Sequence, residues 1–66
     1  MTTKKTFYLL MSEFYKDGTI NAAVVERARI REPKNTYKKL PFAECFNDWF
    51  KSRSQAEKAL ARIRGN

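Results

Sequence analysis

Three arginines recur at every second position in Arg27-Ala28-Arg29-Ile30-Arg31. On a β-strand, side chains two residues apart leave the same face about 7 Å from one another. A strand here therefore carries a comb of three guanidiniums. Guanidinium donates in pairs to phosphate oxygens and to the guanine edge, so the comb has the chemistry of polyanion recognition. Lys34, Lys38 and Lys39 extend the positive run, and Arg53, Lys58 and Arg62 add cations near the C-terminus, where Arg64 follows and Glu57 is the one opposing carboxylate. Arg27, Arg29, Arg31, Lys34, Lys38, Lys39, Arg53, Lys58 and Arg62 are the candidate nucleic-acid-binding residues. The plainer account of the same charges is a solvated strand face, together with cations that suit the dipole at a helix C-terminus.

Other chemistries find little to work with. The chain has no His, only two Gly, and seven Asp and Glu without the spacing of a metal loop. Cys45 is the only cysteine, with no His to activate it and no second thiol for a disulfide or a zinc site. The expectation is a protein that is not an enzyme, with no catalytic residues, no metal and no cofactor.

Sixty-six residues with +7 net charge make one domain with a small core. Nine aromatic residues and only two Pro argue against a disordered tail. A basic balance favours phosphate-rich or acidic partners. The unpaired Cys45 suits a reducing cytoplasm. The apolar run from Phe7 to Met11 is too short to span a membrane.

Residues 1–5 are polar and are expected as a frayed tail. Thr6 to Tyr15 is dense in aromatics and suits a strand, with apolar residues on both parities. Asp17-Gly18 between two apolar runs predicts a tight type I′ hairpin turn. Ile20 to Glu32 then alternates, with Glu26 as a fault where a bulge would sit. The alternative is a helix over Ala22–Arg31 capped by Asn21; the turn favours a strand. Pro33 to Pro41 reads as a basic connection, with Tyr37 and Leu40 to pin it. Phe42 to Phe50 is expected to contain the third strand. Ser52 and Gln55 form a capping-box pattern, Ala56, Ala59, Leu60 and Ile63 make one helical stripe, and Gly65 stands at a left-handed C-terminal cap.

The predicted fold is α+β, a three-stranded antiparallel sheet in β-β-β-α order with one C-terminal helix on one face. Its expected core is Phe7, Leu9, Met11, Ile20, Ala22, Val24, Phe46, Ala56, Leu60 and Ile63, with either Trp49 or Phe50. The strand-to-helix segment Phe50-Lys51-Ser52-Arg53-Ser54-Gln55-Ala56 resembles the corresponding junction in the small DNA-binding domains of phage and transposon integrases and of plant AP2-type factors. That resemblance covers about fifteen residues at the level of architecture, and implies a three-stranded sheet with a helix that binds DNA.

The expected function is a small basic nucleic-acid-binding accessory protein, acting on DNA or RNA mainly through phosphate contacts. Its size suits an accessory protein of a phage, plasmid or bacterial genome. The competing expectation is a protein-interaction module without catalysis, an adaptor or inhibitor docking on an acidic partner or forming a homodimer. Tyr8, Phe14, Tyr15, Tyr37 and either Trp49 or Phe50 exceed what so small a core hides, and exposed aromatics serve either function.

Overall fold

The computed structural model describes residues 3–65. Four strands precede one helix: β1 (Lys5–Tyr15), β2 (Ile20–Arg29), β3 (Thr36–Lys39), β4 (Ala43–Phe50) and α1 (Arg53–Ile63). They form one antiparallel sheet in the order β2-β1-β4-β3. The α+β class and the C-terminal helix match the sequence reading; the strand count of three does not.

The missed strand is β3. Thr36, Tyr37, Lys38 and Lys39 are all exposed, so no buried parity marks them in the sequence. Their partners on β4 make the strand. The Tyr37 ring lies 4.8 Å from that of Phe46, and its hydroxyl donates to Glu44 Oε1 at 3.0 Å. Asn47 Nδ2 donates to Thr36 Oγ1 at 3.1 Å. The Asn35 carboxamide accepts from the Trp49 N–H at 2.8 Å and so prolongs the ladder by a side chain. Leu40 and Ala43 exchange backbone hydrogen bonds around Pro41-Phe42, a two-residue turn inside what the sequence reading took as connection and strand.

The first turn also differs from expectation. Tyr15 N–H donates to Thr19 O, and Gly18 N–H donates to Tyr15 O. Gly18 has φ +96°, and among the described residues no non-glycine residue has positive φ. This is a three-residue loop closed by a left-handed glycine, rather than a type I′ turn, which needs positive φ at two positions. Asp17 Oδ1 accepts from Thr19 N–H at 2.8 Å and holds the loop.

Residues 30–35 carry the chain from β2 on one edge to β3 on the other. Three strand spacings are about 14 Å, within reach of six extended residues. Lys51 and Glu32 pair at 3.5 Å along the way. Met1 and Thr2 of the expected tail lie outside the described residues; Lys5 pairs with Arg29 as the first residue of β1.

Register decides the faces. Leu10 pairs with Val24 and Asp48, and Leu9 pairs with Val25 and Trp49. Even residues of β1, β2 and β4 therefore share one face with the odd residues of β3, and the remaining residues share the other. The helix covers the even face over β1, β2 and β4. Ile63 borders Ile20 and Ala22, and Ala59 borders Phe50. Leu10, Ser12 and Ala56 are the most deeply buried side chains in this layer. Ser52 Oγ accepts from Gln55 N–H, and Gly65 has φ +79° with its N–H donating to Arg62 O, so both helix ends are capped as the sequence implies.

The expected core mixed the two faces. Phe7 and Leu9 are buried without the helix, on the odd face. Met11 and Ile20 are 38% and 48% exposed. Leu60 and Ile63 are half-buried. Phe50 faces the helix and Trp49 faces away.

Candidate nucleic-acid interface

The pleat sorts charge as well as burial. The helix-free face carries Lys5 on β1, Arg27 and Arg29 on β2 and Lys38 on β3, against one carboxylate, Glu13. The sheet's other carboxylates, Glu26, Glu44 and Asp48, all have the opposite parity and share the helix side. Arg31 and Lys34 sit in the 30–35 connection, beside the end of the sheet where Lys5 and Arg29 pair.

The arginine comb is shorter than expected, because β2 ends at Arg29 and Arg31 lies beyond it. The two arginines that remain on the strand are held. Arg27 Nη1 donates to the Glu26 carbonyl at 3.0 Å, and Arg29 Nη1 donates to the Ala28 carbonyl at 2.8 Å. The Arg29 guanidinium carbon also lies 5.4 Å from the centroid of Trp49, within cation–π range. By register, Phe7 lies along β1 between the levels of Arg29 and Trp49. The pair thus spans the central strand over a core residue only 5% exposed. Among the described residues, the Nε–Nη2 side of each guanidinium makes no bond to the chain.

Lys39 stands opposite Glu44 and so lies on the helix side. Arg53, Lys58 and Arg62 belong to the helix, on the other side of the sheet from Arg27 and Arg29. Arg53 pairs with Glu57 at 3.7 Å. The nine candidates therefore do not form one surface. Arg27, Arg29 and Lys38 share the open face, Arg31 and Lys34 flank it, and Lys39, Arg53, Lys58 and Arg62 lie behind it. Lys5 was missed because it fell in the expected tail; only its pairing with Arg29 brings it to the face.

Toward the other end, the open face carries its one carboxylate, Glu13, level with Cys45 and Lys38. Met11, Glu13, Ala23, Cys45 and Asn47 line a shallow depression, with the Cys45 thiol 3.9 Å from Glu13 Oε2. On the helix side of β3 and β4, the hydrogen bond to Glu44 raises the Tyr37 phenol above its usual range. Among the described residues no three His, Cys, Asp or Glu side chains gather as a metal cage, and no helix is long and apolar enough to cross a membrane. No protein-family model, curated protein or solved structure matches this chain.

Proposed function

We propose that this chain is a small non-catalytic nucleic-acid-binding protein whose contact surface is the helix-free face of its sheet. The observation that carries it is the sorting of charge across the pleat: four cations and one carboxylate on the open face, the sheet's other three carboxylates behind. Such a face draws polyanions. Its donors suit phosphate more than base edges, because the two strand arginines are tied to their own backbone and phosphate contacts position without reading sequence. Shape narrows the target further. The chain measures 47 × 27 × 12 Å between Cα atoms, and a slab that broad does not enter a B-DNA major groove about 12 Å wide. A single strand laid across the face, or the phosphate ridges of a duplex, meets it better. The cytoplasm is the compartment this reading implies.

Titration with mixed-sequence single strands and duplex at low salt tests the proposal. Micromolar or tighter binding that weakens steeply with salt is expected, since bound cations release counterions. Absence of binding to either form refutes it. The shallow depression around Met11 and Cys45, whose lining carries no cation, favours a second reading, a protein-interaction module. Its partner affinity responds little to salt.

A further inference from the structure

The free edge of β2 is closed by arginines. Tyr15 N–H donates to Thr19 O, and Lys16 N–H donates to Phe42 O. Odd residues of β1 therefore bond to β2, and even residues bond to β4. In the β1–β2 register the odd residues of β2 are the bonded ones. The N–H and C=O groups of Ala22, Val24, Glu26 and Ala28 then point outward, along an edge with no neighbouring strand among the described residues. Three of these four carbonyls accept a guanidinium. Arg64 Nη2 donates to Ala22 O at 3.4 Å, Arg27 Nη1 to Glu26 O at 3.0 Å and Arg29 Nη1 to Ala28 O at 2.8 Å. Two of these donors come from the strand itself. The third comes from past the helix, 42 residues away in sequence.

An unpaired edge ten residues long is a template for another strand, and charged side chains laid along an edge are a device against such pairing. We infer that the β2 edge is a strand-pairing surface for a second copy of this chain, held shut by Arg27, Arg29 and Arg64. The surface is self-complementary. In a two-fold antiparallel register centred on Val25, Val24 meets Glu26 of the second copy and Ala22 meets Ala28. On the open face, Val25 meets Val25, Arg27 meets Ala23 and Arg29 meets Asn21. No like charges stand directly opposite, which cross-strand pairing requires, and the contact is isologous, as a closed dimer requires. The chain also has surface to cover. Its accessible area is 5286 Å² for 7.8 kDa, whereas a compact monomer of that mass exposes about 4,400 Å². The surplus of about 900 Å² is close to one partner's share, about 800 Å², of a standard interface.

Sedimentation equilibrium without nucleic acid tests this independently of the proposed function. Arg27→Ala/Arg64→Ala is expected to self-associate at least tenfold more tightly than the wild type. Adding Val24→Pro should return it to wild-type behaviour. The Val24 N–H points outward and makes no bond to β1, so proline there blocks a new strand and spares the hairpin. Arg64→Met, outside the sheet, is a second variant, with a smaller gain expected. Amide exchange should slow at Ala22, Glu26 and Ala28 as the double variant associates. Three results overturn the inference: both variants as monomeric as the wild type, association that survives Val24→Pro, or a wild type that already dimerises in a Val24→Pro-sensitive way.

Discussion

Two double variants of equal charge separate the two basic surfaces. Lys5→Ala/Lys38→Ala removes two exposed cations from the open face, and Lys58→Ala/Arg62→Ala removes two from the helix. Each takes the net charge from +7 to +5, so long-range steering changes equally and only the face differs. Lys5, Arg27, Arg29 and Lys38 on the face, with Arg31 and Lys34 beside it, offer six phosphate contacts to a single strand. At about 0.7 counterions per contact, the wild-type slope of log affinity against log salt is about −4, a loss of about 300-fold between roughly 50 and 200 mM salt. The open-face variant keeps four contacts, with a slope of about −2.8 and a loss of about 50-fold over the same range. The helix variant should keep the wild-type slope. Fluorescence anisotropy of a labelled mixed-sequence oligonucleotide, read at several salt concentrations, measures all three. A helix variant whose slope flattens as much as that of the open-face variant would refute the assignment of the face, even if binding itself is strong.

Stability should respond most at Leu10, the largest fully buried side chain. Leu10→Ala is expected to cost about 2–5 kcal/mol, a large share of what a chain this short has, whereas half-buried Leu60→Ala should cost about 1–2 kcal/mol. Urea midpoints that reverse this order would show that the core centres on the helix stripe. The bond from Thr19 N–H holds the Asp17 carboxyl below its ordinary value of 3.8. The loop's contribution is therefore complete at neutral pH and falls away as pH drops through that lowered value. Unfolding measured against pH should show the acid loss in the wild type and a flatter acid limb in Asp17→Asn, whose amide oxygen still accepts but does not titrate. Cys45→Ala should keep both fold and nucleic-acid affinity. Loss of affinity in a folded Cys45→Ala protein would point to chemistry at the thiol.

The hairpin and the helix were legible because their signals are local. Asp17-Gly18 marks the turn, and Ser52 and Gly65 mark the helix ends. β3 was not, because its four exposed residues become a strand only through Phe46, Glu44 and Asn47 of β4. The faces were equally hidden. Apolar residues occupy both parities of β1, so Phe7 and Leu9 read as helix-facing until the pairing of Leu10 with Val24 and Asp48 fixes the parity. The same pairing splits the candidate cations. Alternation alone grouped Arg27 with Arg29 correctly, but Arg31 left the comb when β2 ended. The helix cations were joined to the strand cations only by their nearness in composition.

Arg27 and Arg29 serve both the open face and the closed edge, and the chemistry of guanidinium decides whether these roles compete. Each uses Nη1 for an edge carbonyl. A guanidinium has five N–H donors in a fixed planar fork, so the Nε–Nη2 side remains for two oxygens of a phosphate, the arrangement arginine favours. The edge bond then orients the group and reduces the side-chain freedom lost on binding. Nucleic acid should therefore bind without opening the edge. The expected complex on an oligonucleotide only long enough for one face is one protein to one strand, by sedimentation or native mass spectrometry, at every protein concentration that saturates it. A second copy recruited in a Val24→Pro-sensitive way would mean that phosphate draws the guanidiniums off the carbonyls. Binding and strand pairing would then be linked, each strengthening the other by the same factor. Lysine at position 27 offers a contrast: Arg27→Lys keeps the charge, and so the salt slope, but loses the planar fork. It should bind more weakly than wild type at every salt concentration by a constant factor.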